Sequence, residues 1–158
     1  MYSIRLWTVR HARFLEHVYR IFEPVIVKLQ PLWNSVGYQR AEKPVSMVEK
    51  FSKELLFDCK MCGQCILSST GMSCPMNCPK SLRNGPCGGV RANGNCEVNP
   101  EMRCVWVEAW DGSQQMKGSD KIHVVQLPVD HSQKGSSSWL RVARNTSDST
   151  QDSKSVSK

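Results

Sequence analysis

Long apolar runs are missing from this sequence, and nothing in it approaches the ~20 consecutive apolar residues of a membrane-spanning helix. Residues 1–20 scatter Arg5, Arg10, Arg13 and Arg20 among apolar side chains, so no segment resembles the apolar core of a secretion signal. The expected setting is the cytoplasm, with no membrane partner. Aromatics are scarce at 8% and apolar residues reach only 40%. A core built by burial alone would be thin for 158 residues. Nucleotide-binding and catalytic signatures are missing too: no G-x-G-x-x-G, P-loop, H-E-x-x-H or serine nucleophile elbow occurs. Asp58, Asp111 and Asp130 stand singly and read as solvated or capping residues. Lys and Arg outnumber Asp and Glu by 21 to 14, a net charge of +7. These charges are dispersed, with no basic stripe interleaved with aromatics, so nucleic acid is not an expected partner.

What the sequence does have is cysteine. All eight lie between Cys59 and Cys104, in the order Cys59-x2-Cys62-x2-Cys65-x8-Cys74-x3-Cys78-x8-Cys87-x8-Cys96-x7-Cys104. In a reducing compartment such a cluster binds metal or does redox chemistry more readily than it forms disulfides. Helical and strand periodicity vanish across this stretch, while Gly63, Gly71, Pro75, Pro79, Gly85, Pro86, Gly88 and Gly89 crowd in as turn residues. A segment so poor in aliphatic residues needs a cross-linker, and metal–thiolate bonds supply folding free energy where a core is thin.

The opening triplet carries the most information. Three cysteines at x2 intervals can take three corners of an iron–sulfur cube, with the fourth ligand arriving from afar. A tetrahedral zinc site draws instead on two C-x2-C knuckles, and the second half of this cluster has none. Prolines directly after Cys74 and Cys78 echo the proline that follows the last cysteine of the bacterial ferredoxin run, although x8 replaces the expected x3 after the triplet. Iron–sulfur, as one or two [4Fe–4S] clusters, is therefore the favoured cofactor, with zinc as an alternative or an addition. Spacing alone does not say which four cysteines share a metal. Closed cysteine sites leave no open coordination position, so no catalytic residue is expected on this chain. Lone His11, His17, His123 and His131 read as surface or packing residues, and Trp106 with Trp110 as a helix face packed on the metal core.

Around the cluster, apolar residues from Ile4 to Phe22 recur at helical spacing and predict a helix over residues 3–22, stopped by Pro24 or followed there by the next. Val25 to Leu29 form a short apolar segment ended by Pro31. A further helix is expected from Ser46, with Glu49 closing a capping box. Residues 104–110 read as a short helix or strand, 112–121 as a loop and 122–129 as extended. Trp139, Leu140 and Val142 are the last apolar anchor. The expected fold is a small α+β or irregular one: an N-terminal helical segment at 1–44, a loop-rich cysteine metal-binding domain at 45–142, and a disordered tail at 143–158.

The run Cys59-Lys-Met-Cys62-Gly-Gln-Cys65, then Cys74-Pro-Met-Asn-Cys78-Pro-Lys80, Asn84-Gly-Pro-Cys87-Gly-Gly89, Gly94-Asn-Cys96-Glu97 and Cys104-Val-Trp106 resembles the C-terminal domain family of methylenetetrahydrofolate reductase. Pro128-Val-Asp130 and Ser136-Ser-Ser-Trp139-Leu140 are similar to its closing motif. That domain also occurs as the MetV-type small partner subunit. The resemblance implies cysteine-bound iron–sulfur or zinc at these eight positions, and a flavin-dependent reductase barrel as partner. It further implies electron passage from a donor toward the flavin in one-carbon metabolism. The chain lacks the alternating strands and helices of a (β/α)8 barrel, which takes about 250 residues. It therefore reads as an accessory subunit of an oxidoreductase, not catalytic alone; the alternative is a zinc-stabilised assembly partner with no redox role.

Overall fold

A computed structural model describes residues 2–155, with side chains as far as Thr146. Six α-helices form the frame: α1 (Tyr2–Arg10), α2 (Ala12–Lys28), α3 (Gln30–Val36), α4 (Tyr38–Phe57), α5 (Val105–Ser113) and α6 (Ser138–Ser155). The expected strand content is corrected. Among the described residues only two isolated antiparallel bridges occur, Val90 with Cys96 and Asn95 with Arg103, both inside the cysteine region. Turn residues follow one another too closely there for a ladder to extend.

The N-terminal half is more continuously helical than its prolines suggest. The predicted helix over 3–22 is two helices hinged at His11 (φ −110°, ψ 26°), yet hydrogen bonds run through the hinge from His11 N–H to Trp7 O and from Leu15 N–H to His11 O. Pro24 neither stops nor starts a helix but sits inside α2. Interior proline is costly. Phe22 packs edge-on against Trp139, and Ile26 lines the same crevice, so tertiary contacts on both sides of the proline hold the helix. Pro31, expected to end a segment, opens α3 instead, where its missing N–H costs nothing.

Helix α4 begins at Tyr38, not Ser46, and carries Pro44 in its interior. Glu42, before that proline, accepts a hydrogen bond from the Ser137 backbone N–H and ties the first turns to α6. The capping box does not form: Ser46 Oγ donates to Lys43 O, and Glu49 turns inward to other partners.

The side of α1 and α2 that faces the molecule also differs from expectation. Arg5, Thr8, Val9, Ala12 and Glu16 are buried, whereas Trp7, Phe14 and Val18 remain exposed. Glu16 accepts hydrogen bonds from the backbone N–H groups of Lys117 (2.8 Å) and Gly118 (3.2 Å), which pins the turn after α5 onto α2. Residues 104–110 resolve into α5, and the segment expected to be a loop holds a 3-10 turn at Ser119–His123. The tail expected to be disordered coincides through Ser155 with the continuation of α6, anchored in its first turns by buried Leu140 and Ala143. Residues 156–158 of that expectation lie outside the described residues.

One apolar cluster joins Ala12, Phe57, Leu67, Met72, Cys74 and Met116, and a second joins Cys104, Trp106 and Ala109. Both contain cysteine sulfur where a larger domain would place aliphatic carbon. Trp106 packs in the core against Gly85, where a Cβ would meet the indole ring, while Trp110 on the next turn is exposed.

Candidate functional site

Helix α4 stops at Asp58, whose left-handed backbone (φ 51°, ψ 49°) turns the chain sharply into the cysteine triplet. The Asp58 N–H reaches Glu54 O at 3.0 Å and the Cys59 N–H reaches Lys53 O at 3.3 Å, so the first cysteine is fixed to the end of a long helix. Met61 (φ 47°) and Gly63 (φ 71°) also take left-handed conformations, winding the loop tightly between Cys59 and Cys65. Alternation of this kind gathers successive backbone N–H groups on one side of the chain, the arrangement that forms anion-binding concavities. One of them, Met61 N–H, donates to Cys59 Sγ at 3.4 Å. A side chain at Gly63 would run into Gln133 O and Ser136 Oγ, because the 130–136 segment lies directly over the loop. Asp130 shapes that cover as a capping residue, accepting from the Ser132 N–H at 3.0 Å.

Cys74 enters from the far side. It precedes a 3-10 turn at Pro75–Asn77 and is buried in the first apolar cluster. Cys59, Cys62, Cys65 and Cys74 thereby line one small cavity, which Lys53 and Arg83 also line. The first four cysteines in the sequence thus share the wall of one cavity. Among the described residues, no three His, Cys, Asp or Glu side chains converge closely enough to hold a single metal ion.

Burial pushes the Cys59 thiol up to about 11, with Cys65 and Cys62 adding to the effect against the Met61 hydrogen bond. Burial likewise pushes Cys74 up to about 12, with Cys59, Cys65 and Cys62 again adding against a backbone hydrogen bond from Met76. Free thiols in this setting stay protonated at neutral pH and are poor nucleophiles. A cation bound in the cavity would displace the protons of Cys59 and Cys74 and favour thiolate ligation. The donor set, the amide N–H directed at sulfur and the closed setting all suit a thiolate-bound metal or iron–sulfur core.

Behind the cavity stands a buried polar cluster. Lys53 Nζ donates to Glu49 Oε1 at 2.6 Å and to Ser138 Oγ at 2.8 Å; Ser137 Oγ donates to Glu49 Oε2 at 2.6 Å, and the Ser138 hydroxyl donates to Glu49 as well. Burial opposes ionisation of Glu49, but the Lys53 ammonium and these hydrogen bonds overcome it and hold the carboxyl below its ordinary range. For Lys53, burial is outweighed by Cys65 and Glu49, which hold the amine above the ordinary lysine range. Glu49 was expected to close a capping box, and Ser137 and Ser138 lie in the stretch similar to the family's closing motif, but neither feature pointed to a buried cluster around Lys53.

The other four cysteines lie along the following loop. Cys96 N–H donates to Met102 O at 2.9 Å and Cys104 N–H to Gly94 O at 3.0 Å, which folds the 94–104 stretch back on itself. Cys96 and Cys104 are buried, and Cys78 and Cys87 are half-buried. Lys80 pairs with Glu97 across this loop. All eight cysteines are free thiols. The four histidines stand apart from the thiol cavity. His11 Nδ1 lies 2.9 Å from Trp7 O and its ring stacks on the Trp7 indole, while His123 packs edge-on against Trp110.

The fold and the loop together define a mostly helical, cysteine-rich protein in which four cysteines line one cavity. More particularly, the chain belongs to the family described as methylene-tetrahydrofolate reductase C terminal, which it matches over residues 38–132, from the start of α4 to the loop-covering segment. The match agrees with the resemblance carried by the cysteine motifs. Comparison with curated proteins and with solved structures gives no match. No helix among the described residues is long and apolar enough to cross a membrane.

Proposed function

We propose that the chain is an accessory electron-transfer subunit of a methylenetetrahydrofolate reductase-type flavoenzyme. On this reading Cys59, Cys62, Cys65 and Cys74 hold an iron–sulfur centre, and Cys78, Cys87, Cys96 and Cys104 supply a second ligand set. The observation that carries it is that four cysteines, three from one tight loop and one from a distant turn, line a single small cavity. Such a centre, when bound, takes up and releases one electron at a time, with a potential set by charge, burial and hydrogen bonds to sulfur. The chain's own residues provide those settings. Met61 N–H bonds to sulfur, the 130–136 segment covers the loop, and the apolar cluster around Cys74 excludes water.

A partner is supported by what the surface leaves uncovered. Phe14, Val18, Ile21 and Val25 on α2, and Met47, Val48, Phe51 and Leu55 on α4, are all exposed. Single exposed apolar residues are ordinary, but two facing rows of them mark a binding surface. Between the rows runs an apolar groove lined by Val18, Phe22, Leu56 and Trp139, with Cys65 and Lys53 also in its wall. A reductase seated on this face would lie beside the four-thiol site.

The direct test is anaerobic transfer. The chain, purified without oxygen and reduced with dithionite, is freed of excess reductant and mixed with its oxidised flavin-bearing partner. Flavin bleaching at the rate of turnover supports the proposal. A zinc-loaded chain that sustains partner turnover equally well would instead establish an assembly role.

A further inference from the structure

Arg83 is 7% exposed and lines the same cavity as Cys59, Cys62, Cys65 and Cys74. Its guanidinium has one acceptor, the Gln64 backbone carbonyl, reached by Nη1 and Nη2 at 3.3 Å each. The Nε–H is buried without a partner, and among the described residues Arg83 makes no ion pair. Arginine does not lose its proton in proteins, so this is a fixed buried positive charge in the wall of the cavity that the four cysteines line. A buried charge without a counter-ion is strongly unfavourable. The other cation at the cavity does not share the difficulty: Lys53 is neutralised by Glu49 at 2.6 Å. One uncompensated positive charge therefore remains in the wall of the site.

We infer that Arg83 is the counter-cation of an anionic thiolate centre at Cys59, Cys62, Cys65 and Cys74, holding it in place and raising its reduction potential. The inference rests on the metal-site reading above. Four thiolates around a dicationic core carry a net charge of about −2, whether the core is [4Fe–4S]2+ or Zn2+. The guanidinium meets that charge, and its free Nε–H is a donor available to sulfur. Arg83 is a positioning and tuning residue in this account, not a ligand. An opposite charge within ~4–6 Å favours the charged form of a group by ~10- to 1000-fold, and an added electron is a unit charge like a lost proton.

The test uses the full chain purified anaerobically as wild type, Arg83→Gln and Arg83→Lys, with iron, acid-labile sulfide, zinc, far-ultraviolet circular dichroism and midpoint potential measured on each. Arg83→Gln should disfavour the reduced state by at least about tenfold, a fall of about 59 mV for a one-electron couple. Arg83→Lys, which keeps the charge, should stay near wild type. If Arg83→Gln retains iron and sulfide with an unmoved potential, the inference is overturned. If Arg83→Gln stays helical but loses the centre while Arg83→Lys keeps it, the charge is needed for retention and the inference stands. Loss of the centre from both variants shows that shape and not charge is required, and overturns it. Should the wild type hold zinc and no sulfide, the iron–sulfur reading fails separately. Chelator competition then decides for Arg83: zinc affinity tenfold weaker in Arg83→Gln than in Arg83→Lys supports the counter-cation role, and equal affinity ends it.

Discussion

Glu49→Gln is the substitution whose cost the geometry fixes most closely. Glu49 and Lys53 are 2% and 5% exposed, one helical turn apart on α4, and in contact at 2.6 Å. Glutamine preserves shape and keeps one of the two acceptor oxygens that the Ser137 and Ser138 hydroxyls use, but it replaces the other with an NH2 donor and removes the negative charge. The Lys53 ammonium is then left buried, facing a serine, an amide and the Trp139 ring 5.1 Å away. Breaking one side of a buried pair costs about 3–5 kcal/mol. At about 2–4 °C per kcal/mol for a domain of this size, the unfolding midpoint should fall by about 6–20 °C. Urea titration followed by circular dichroism reads the same loss as a lower midpoint with an unchanged slope. Glu49→Gln combined with Lys53→Met should recover much of it, because no uncompensated charge then remains. A single variant within about 0.5 kcal/mol of wild type would refute the view that this pair fastens α4 to α6.

Two further outcomes follow from the same geometry. Gly63→Ala should destabilise the chain by about 1–3 kcal/mol, since the left-handed backbone and the overlying Gln133 carbonyl both oppose a Cβ. Thermal melts and metal content check it, and an unchanged melt with full metal would mean the 130–136 cover is not held tightly. Val18→Glu together with Phe51→Glu, on the two exposed rows, should leave the fold intact and weaken reductase binding at least tenfold by calorimetry. Unchanged affinity would place the partner on another face.

The sequence made the family more legible than the helix boundaries. The cysteine spacing marked the site region and its family, because ligands are recognised by residue type and interval. It could not divide eight thiols into groups, since that depends on where Cys74 returns in space. Arg83 and Glu49 gave no signal: an arginine among turn residues and a glutamate after serine look like surface and cap. Only the enclosure by the thiol loop and by α6 makes them buried charges. Pro24 misled for a related reason, as Phe22 and Ile26 hold the helix across it through contacts that local propensity does not include. The apolar faces of α2 and α4 were legible as apolar, but the periodicity shows that a face wants cover and not which molecule provides it.

The central claim is that Cys59, Cys62, Cys65 and Cys74 hold an iron–sulfur centre, and metal analysis tests it most directly. Iron, acid-labile sulfide and zinc should be measured per chain after anaerobic purification of the wild type and of Cys62→Ser. The account predicts a brown wild-type protein with iron and sulfide in matching amounts, and a Cys62→Ser variant that has lost one centre's share of both while remaining helical. A colourless wild type with stoichiometric zinc and no sulfide would contradict it.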